Sequence, residues 1–422
     1  ELILCPEVSP ALCFSRFMSF SSSRVWLPVT LLAVQGCNLA PKTAEPDLKL
    51  PVEFKTQGPW KVAQPRDHEL RGNWWRLFGD SKLSELMAEA EKASPTLEVA
   101  RQRVEEARAL ARADRAGLFP FATVTNSIRR DRSSGAMAFQ FAGGRSRNTI
   151  LNQLDFSYEL DFWGKNRNTA KAGALRSEAV EANWESVRLG LLSELAMNYF
   201  ALRTQDAQIA LLRRTVEVRA RAADLARTRF TQGDIAQVDV AQAETDHAET
   251  QAEAIGLERQ RGELEHAIAL LLGRVPSDFT LPAAPIAGSP PSLPRSVPST
   301  LLERRPDIAS AERVMAATNA EIGVARAAFF PSITLGLSGG TQTSFIEKIA
   351  DSHARVWGLG PAGIEWPVLR GGAVKANAEA AKARYEQSAA QYRQTVLAAM
   401  RDAEDALTAL DVLRRQSAAQ DA

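Results

Sequence analysis

Residues 94–120, SPTLEVARQRVEEARALARADRAGLFP, and residues 305–331, RPDIASAERVMAATNAEIGVARAAFFP, decide how the whole chain is read. Each opens on a polar residue followed by proline. Each then runs through an alanine-rich helical stretch and stops at an aromatic residue followed by proline. The opening prolines, Pro95 and Pro306, lie 211 positions apart (306 − 95), and so do the closing ones, Pro120 and Pro331 (331 − 120). A register kept across a whole helix marks an internal duplication, and a unit this long is a large module rather than a solenoid repeat.

Beyond each closing proline the period changes from helical to two. In 148–163, Gln153, Asp155, Ser157, Glu159 and Asp161 fall on one face, and Leu154, Phe156, Tyr158, Leu160 and Phe162 on the other. Such alternation predicts a strand, although a soluble sandwich would show it too. Phe121–Arg130 is its hairpin partner across the Ser/Gly-rich 131–147. In the second module Ile333, Leu335 and Leu337 alternate with Thr334, Gly336 and Ser338, and Val356–Val368 closes that hairpin.

Helices flank the hairpins. One is predicted over Ser81–Ala116, with Ser81 as N-cap and Gly117 as stop. After Gly164, apolar positions from Val180 and Trp184 through Leu191, Leu195, Leu202 and Ile209 to Val216 recur at spacings of three and four, a coiled-coil-like seam. A helix of about 65 residues would be roughly 100 Å long. Thr231-Gln232-Gly233-Asp234 breaks it, a second helix returns to Leu272, and 276–298 is a proline-rich linker. The expected organisation is an N-terminal segment 1–36, an extended segment 37–80, a first module 81–272, a linker 273–300 and a second module 301–422.

Composition narrows the function. Lys and Arg number 51 against 50 Asp and Glu, so there is no basic excess to neutralise nucleic-acid phosphates. No apolar run reaches the ~18 residues of a spanning helix, so any membrane insertion by the mature chain would use strands. In hydrocarbon only helices and closed barrels satisfy every backbone group. Four strands cannot close a barrel, since the smallest have eight. Identical copies would then complete one wall, with the acidic strand face lining a lumen, the aromatic face meeting lipid and the long helices extending the wall as a tube.

From Met18 the chain reads as a signal peptide: Arg24, the apolar Val25–Val34, then Gln35-Gly36-Cys37. Glu1–Phe17 then reads as upstream sequence. Val-Gln-Gly-Cys resembles a bacterial lipobox, which would make Cys37 an acylated first residue, or it is an incidental cysteine. Asn38, where an aspartate would retain such a lipoprotein in the inner membrane, points to the outer one. With Cys5 and Cys13 upstream, the mature body has no thiol pair.

Arg304-Arg305-Pro306-Asp307-Ile308, Ala325-Arg326-Ala327-Ala328-Phe329-Phe330-Pro331, Leu160-Asp161-Phe162-Trp163-Gly164, Phe230-Thr231-Gln232-Gly233-Asp234 and Tyr392-Arg393-Gln394-Thr395-Val396 resemble the TolC-like outer membrane efflux proteins, within them the lipoprotein branch. The resemblance implies a mainly α fold with a β-barrel part. A homotrimer would complete a twelve-stranded barrel above a periplasmic tunnel of long antiparallel coiled-coil helices. It also implies an inner-membrane RND-type pump and a periplasmic adaptor as partners, drugs or other small molecules as cargo, and outer membrane lipid around the barrel. Asp239, with Asp234 nearby, matches the tip aspartate of the periplasmic gate. Its usual Arg/Tyr partners would come from a second tip; this chain reaches Ala422 before one, which reads as a C-terminally truncated second module.

Other motifs carry bland readings. Gly336-Leu337-Ser338-Gly339-Gly340 fits a nucleophile elbow formally but lacks a strand–turn–helix context. His68, His247, His266 and His353 lack ligand spacing, so no metal site is expected. The Asp155/Glu159/Asp161 row is more simply a wetted wall than paired catalytic acids. Trp163, Trp357 and Trp366 near strand ends suit an interface girdle or core packing. No Gly-rich Lys-Ser/Thr loop is present, so no nucleotide cofactor is expected. Two rivals stay open: an exit duct for secreted polypeptides, and a lipid-anchored coiled-coil scaffold without a pore.

Overall fold

The computed structural model describes residues 38–41, 72–132, 146–286 and 305–420. Contacts separate Glu1–Gly36 from Cys37–Ala422, and every described residue belongs to the second unit.

The duplication recurs in the backbone. Helices α1 (Ser81–Ala93) and α2 (Pro95–Ala116) lead to strands β1 (Phe121–Arg132) and β2 (Ser146–Leu160). The second module opens with α5 (Pro306–Ala327) and β3 (Ser332–Thr343), so both bounds of α2 and of β1 recur 211 positions on. α3 (Lys165–Thr231) and α4 (Gln237–Leu271) follow β2 in the first module, and β4 (Arg355–Glu365) and α6 (Ala373–Gln420) follow β3 in the second. At 67 residues, α3 is roughly 100 Å long.

The expected single helix over Ser81–Ala116 is two. Pro95 has no N–H and pushes its predecessor out of the helical region, so Ser94 sits extended at ψ 121° while Pro95 starts a fresh helix. The cap of α1 is Asp80 rather than Ser81, its carboxylate accepting from Leu83 N at 2.9 Å.

The strands form one antiparallel sheet in the order β1-β2-β3-β4. β2 and β3 are central, and β1 and β4 carry the edges. A bulge between Leu335 and Leu337 sets an extra residue into β4, where Gly360 takes φ 104° immediately before Pro361; a bulge is where a strand accommodates both residues. Neighbouring glycines differ sharply. A Cβ on Gly340 would run into the Asn152 carbonyl and come within 2.8 Å of Gln153 Cα, whereas one on Gly339 would meet nothing. Gly340→Ala is therefore expected to part β3 from β2 and deplete the protein from outer membranes on immunoblots, with Gly339→Ala near wild-type levels.

α3 is the spine, packed against α2, α4 and α5, and α6 lies along α5. The largest core sits halfway along it: Leu191, Leu195, Tyr199 and Leu202 meet Leu83 and Met87 of α1, Ile268 and Leu272 at the end of α4, and Leu281 beyond. Each fully buried leucine there is worth about 1.5–3 kcal/mol. A smaller cluster of Ile308, Val396, Ala399 and Met400 joins α5 to α6. Past Ile209, the buried apolar residues of α3 and of the distal part of α4 are, among the described residues, Ala223 and Ala254. Ion pairs bridge the two helices there instead: Arg213–Glu258 at 2.8 Å, Arg219–Asp246 at 3.0 Å and Arg227–Glu244 at 2.8 Å. Exposed pairs contribute only about 0–1 kcal/mol each, and Leu211, Val218, Leu225 and Ile255 stay exposed. The distal helices thus keep apolar surface exposed on the single chain.

Candidate channel wall and helix tip

Residues opposite one another in an antiparallel ladder share a face. Val124/Leu154, Ala122/Phe156, Phe156/Leu337, Tyr158/Leu335, Leu160/Ile333, Ile333/Ile364 and Leu337/Leu359 are such pairs. One face of all four strands is thereby apolar. Val124, Leu154, Phe156, Leu337, Leu359 and Ile364 are all exposed on it. The other face carries Thr123/Asp155, Thr125/Gln153, Asp155/Ser338, Ser157/Gly336 and Glu159/Thr334. So Gln153, Asp155, Ser157 and Glu159 share one side, and Leu154, Phe156, Tyr158 and Leu160 the other.

Two residues leave the expected rows. β2 ends at Leu160 rather than Trp163, so Asp161 and Phe162 are not strand residues. The Asp161 carboxylate instead caps the start of α3, accepting from Asn166 N at 3.2 Å, Arg167 N at 2.9 Å and Arg167 Nε at 3.2 Å. The positive φ of Gly164, 74°, turns the chain so that the carboxylate reaches those amides. A carboxylate there also complements the helix dipole. Asp161→Ala is expected to lower the unfolding free energy by about 1 kcal/mol, read by denaturant titration of detergent-solubilised protein. Glu159 pairs with Lys165 at 3.0 Å. Asp155 accepts from Gln153 Nε2 at 2.5 Å and Thr125 Oγ1 at 3.4 Å on the polar face.

Trp163 is a corner clamp: its ring stacks on Phe330 at 4.6 Å between centroids, and Nε1 donates to Pro331 O at 2.8 Å. It ties the end of β2 to the start of β3. Trp357 and Trp366, by contrast, are 83% and 63% exposed. The elbow-like glycine run lies inside β3, with Ser338 paired to Asp155 and Gly358. His353 is exposed and bonded to Asp351 at 2.9 Å. Ser338 thus sits within a paired strand and not at the strand–turn–helix that an elbow needs.

At the far end, Gly233 (φ 83°) reverses the chain between α3 and α4. Asp239 Oδ2 accepts from Ala236 N at 3.0 Å, and Asp239 N donates back to Ala236 O at 3.1 Å. Within one chain Asp239 is thus an exposed helix-start cap, and Asp234 is exposed in the turn before it.

Cys37 and His68 lie outside the described residues. The four residues after Cys37 are held firmly. Asn168 Nδ2 donates to Asn38 Oδ1 at 3.1 Å, Asn319 Nδ2 to Pro41 O at 2.9 Å and Arg326 to Leu39 O at 3.3 Å. Gly323 leaves room for Ala40, since a Cβ there would come within 2.9 Å of it. Asn38–Pro41 is therefore pinned across the barrel-proximal ends of α3 and α5.

One charged cluster escaped the sequence reading. Asp206, 7% exposed, accepts from Arg203 at 3.1 Å, Arg261 Nε at 2.6 Å and Ala284 N at 3.2 Å. Arg203 also donates to Pro282 O at 2.7 Å and Arg261 to Leu281 O at 2.5 Å, and Glu265 accepts from Leu281 N. The Arg203 guanidinium lies 4.8 Å over the Tyr199 ring, whose hydroxyl donates to Asp80 at 2.7 Å. Burial pushes the Tyr199 phenol up. The signal was two charges, Arg203 and Asp206, set between Leu202 and Ile209 on the apolar stripe. Among the described residues no cluster of His, Cys, Asp and Glu could hold a metal, and no helix is long and apolar enough to cross a membrane.

The family model described as "Outer membrane efflux protein" matches residues 86–274 and 297–422. The probable outer membrane lipoprotein SilC of Salmonella typhimurium is 30% identical over 396 residues, spanning 92% of this chain and 83% of its own length. Outer membrane protein OprJ of Pseudomonas aeruginosa is 31% identical over 412 residues, 96% and 83% of the two chains. Among solved structures, the outer-membrane channel OprN superposes with a TM-score of 0.80 at 28% identity, covering 90% of this chain and 84% of that one.

Proposed function

This chain belongs to the outer membrane efflux protein family, an outer membrane channel of the tripartite efflux type with the tunnel-plus-barrel fold, and from that premise we propose that it is the passive exit duct of a trimer. The observation that carries the proposal is the open four-stranded sheet, apolar on one face and polar on the other, with bare edges at β1 and β4. A bilayer tolerates no bare strand edge, and three copies supply twelve strands, an even number in the range of outer-membrane barrels. The apolar face meets lipid and the Asp155 face lines the lumen. Trp357 on β4 and Trp366 one residue past its end are nine residues apart, about 30 Å along an extended chain. At a tilt near 40° that brackets an apolar band of about 25 Å, as an aromatic girdle does.

The chain carries no chemistry of its own in this reading, and energy comes from an inner-membrane RND-type pump through a periplasmic adaptor. Cys37 is the lipid attachment point. The pinned Asn38–Pro41 supports this, because it delivers that end of the chain beside the strands. Asp239 and Asp234 present carboxylates at the tunnel tip, where gating contacts between copies would form. Expression in a host lacking its own outer membrane factor, together with the cognate pump and adaptor, tests the proposal. Restored drug tolerance, heat-resistant trimers and discrete conductance steps in planar bilayers are expected. Restored polypeptide secretion without drug tolerance would favour a secretion duct, and a monomer without conductance would favour a scaffold.

A further inference from the structure

The duplication gives more than the fold: it fixes how one copy meets the next. Within the chain, β2 outruns its partner β1. Phe121, the first residue of β1, faces Ser157, yet β2 continues through Tyr158, Glu159 and Leu160. Those three residues are held by the neighbouring module, opposite Leu335, Thr334 and Ile333 of β3. In the second module Ser332, the first residue of β3, faces Glu365, and β4 stops there. The chain goes on through Trp366, Pro367 and Val368 without a strand partner, with Trp366 and Val368 63% and 82% exposed. Val368 N instead bonds back to Trp366 O at 2.9 Å.

The two halves map onto each other without ambiguity. β1 maps to β3 at +211. Ser157 maps to Glu365 at +208 (365 − 157), and so does the positive-φ glycine before the long helix, Gly164 to Gly372 (372 − 164). Applied to the β2–β3 ladder, these offsets turn Phe156/Leu337 into Ile364/Asn126, Tyr158/Leu335 into Trp366/Val124, and Leu160/Ile333 into Val368/Ala122.

We infer that Trp366–Val368 is a strand that forms only on assembly, seated against Ala122–Val124 of the next copy, with Ile364 opposite Asn126. The inference rests on the ring of identical copies proposed above. Face parity supports it independently. Asn126, Val124 and Ala122 lie on the apolar side of β1, through their pairs Asn152, Leu154 and Phe156. Ile364 lies on the apolar side of β4 through Ile333. A slip of one residue would bring lipid-facing positions opposite lumen-facing ones.

Cysteine pairs test the register in the full chain, with Cys5 and Cys13 replaced by serine and single-cysteine variants reporting any bridge to Cys37. Directly opposed residues lie about 4.5–5.5 Å apart, inside the range a disulfide spans. Partners displaced by two residues lie about 7–8 Å apart. Under mild oxidation in outer-membrane vesicles, Ile364→Cys with Asn126→Cys is expected to give reducible covalent trimers, at several-fold higher yield than Ile364→Cys with Val124→Cys or with Ile128→Cys. Amine-reactive cross-linking scores trimers separately. Trimers whose strongest bridge is at a displaced pair, or that form no bridge, overturn the register and leave the duct standing. A chain that stays monomeric overturns both.

Discussion

Asp206→Ala will lower the unfolding free energy by about 3–5 kcal/mol, the cost of stranding a buried guanidinium when its partner is removed. Arg203 is 4% exposed, and its Nε already lacks a bonding partner. Asp206 is the carboxylate that neutralises it and also binds Arg261 and Ala284 N. Removing Asp206 leaves Arg203 and the partly buried Arg261 facing one another without their shared counter-ion. It also removes the acceptor of Ala284 N. By comparison, Arg213→Ala breaks an exposed pair to Glu258 and will cost no more than about 1 kcal/mol. The double variant Arg203→Met/Asp206→Leu keeps the volume apolar and is expected to recover most of the loss, as buried ion pairs often allow. Urea titration in detergent, followed by helix content, measures all three. An Asp206→Ala loss no larger than that of Arg213→Ala would mean water reaches the cluster and solvates Arg203.

The features legible in the sequence were those set by short-range periodicity. The 211-residue offset appeared in two pairs of prolines and proved to hold at both bounds of α2 and β1. The alternation of Leu154, Phe156, Tyr158 and Leu160 with polar residues placed the two faces of β2, because a strand's side-chain period is two and admits no drift. Where reading failed, a local rule competed with a tertiary one. Asp161 continued the alternation in sequence, yet the turn at Gly164 made its carboxylate worth more as a cap on α3 than as a strand residue. Ser81 looked like a cap, but Asp80 stood one residue earlier and accepts Tyr199 O–H as well as Leu83 N. Arg203 and Asp206 were invisible as a site because their partners Arg261, the Pro282 carbonyl and the Ala284 N–H come from 55 to 79 residues away. Nothing in a helical period reports where a returning strap will cross.

The assignment of the two sheet faces predicts opposite outcomes for adjacent residues. Phe156→Arg sets a guanidinium on the apolar face, between Ala122 of β1 and Leu337 of β3. In the proposed ring a lipid-facing Arg costs up to about 2–4 kcal/mol, most near the bilayer midplane, and each copy repeats it. Neighbouring Ala122 offers no carboxylate, and the nearest acid on β2, Asp155, points to the other side. Heat-resistant trimers and restored drug tolerance are therefore expected to fall at least tenfold. Ser157→Arg places the same charge one residue on, beside Gly336 and on the face that carries Asp155. There it meets water, so trimers should persist near wild-type abundance, while conductance in planar bilayers shifts towards anions. Both variants add the same residue at adjacent positions, so intrinsic strand propensity and expression cost nearly cancel between them. If Phe156→Arg assembled and Ser157→Arg did not, the polar row would be facing lipid and the wall would be inside out.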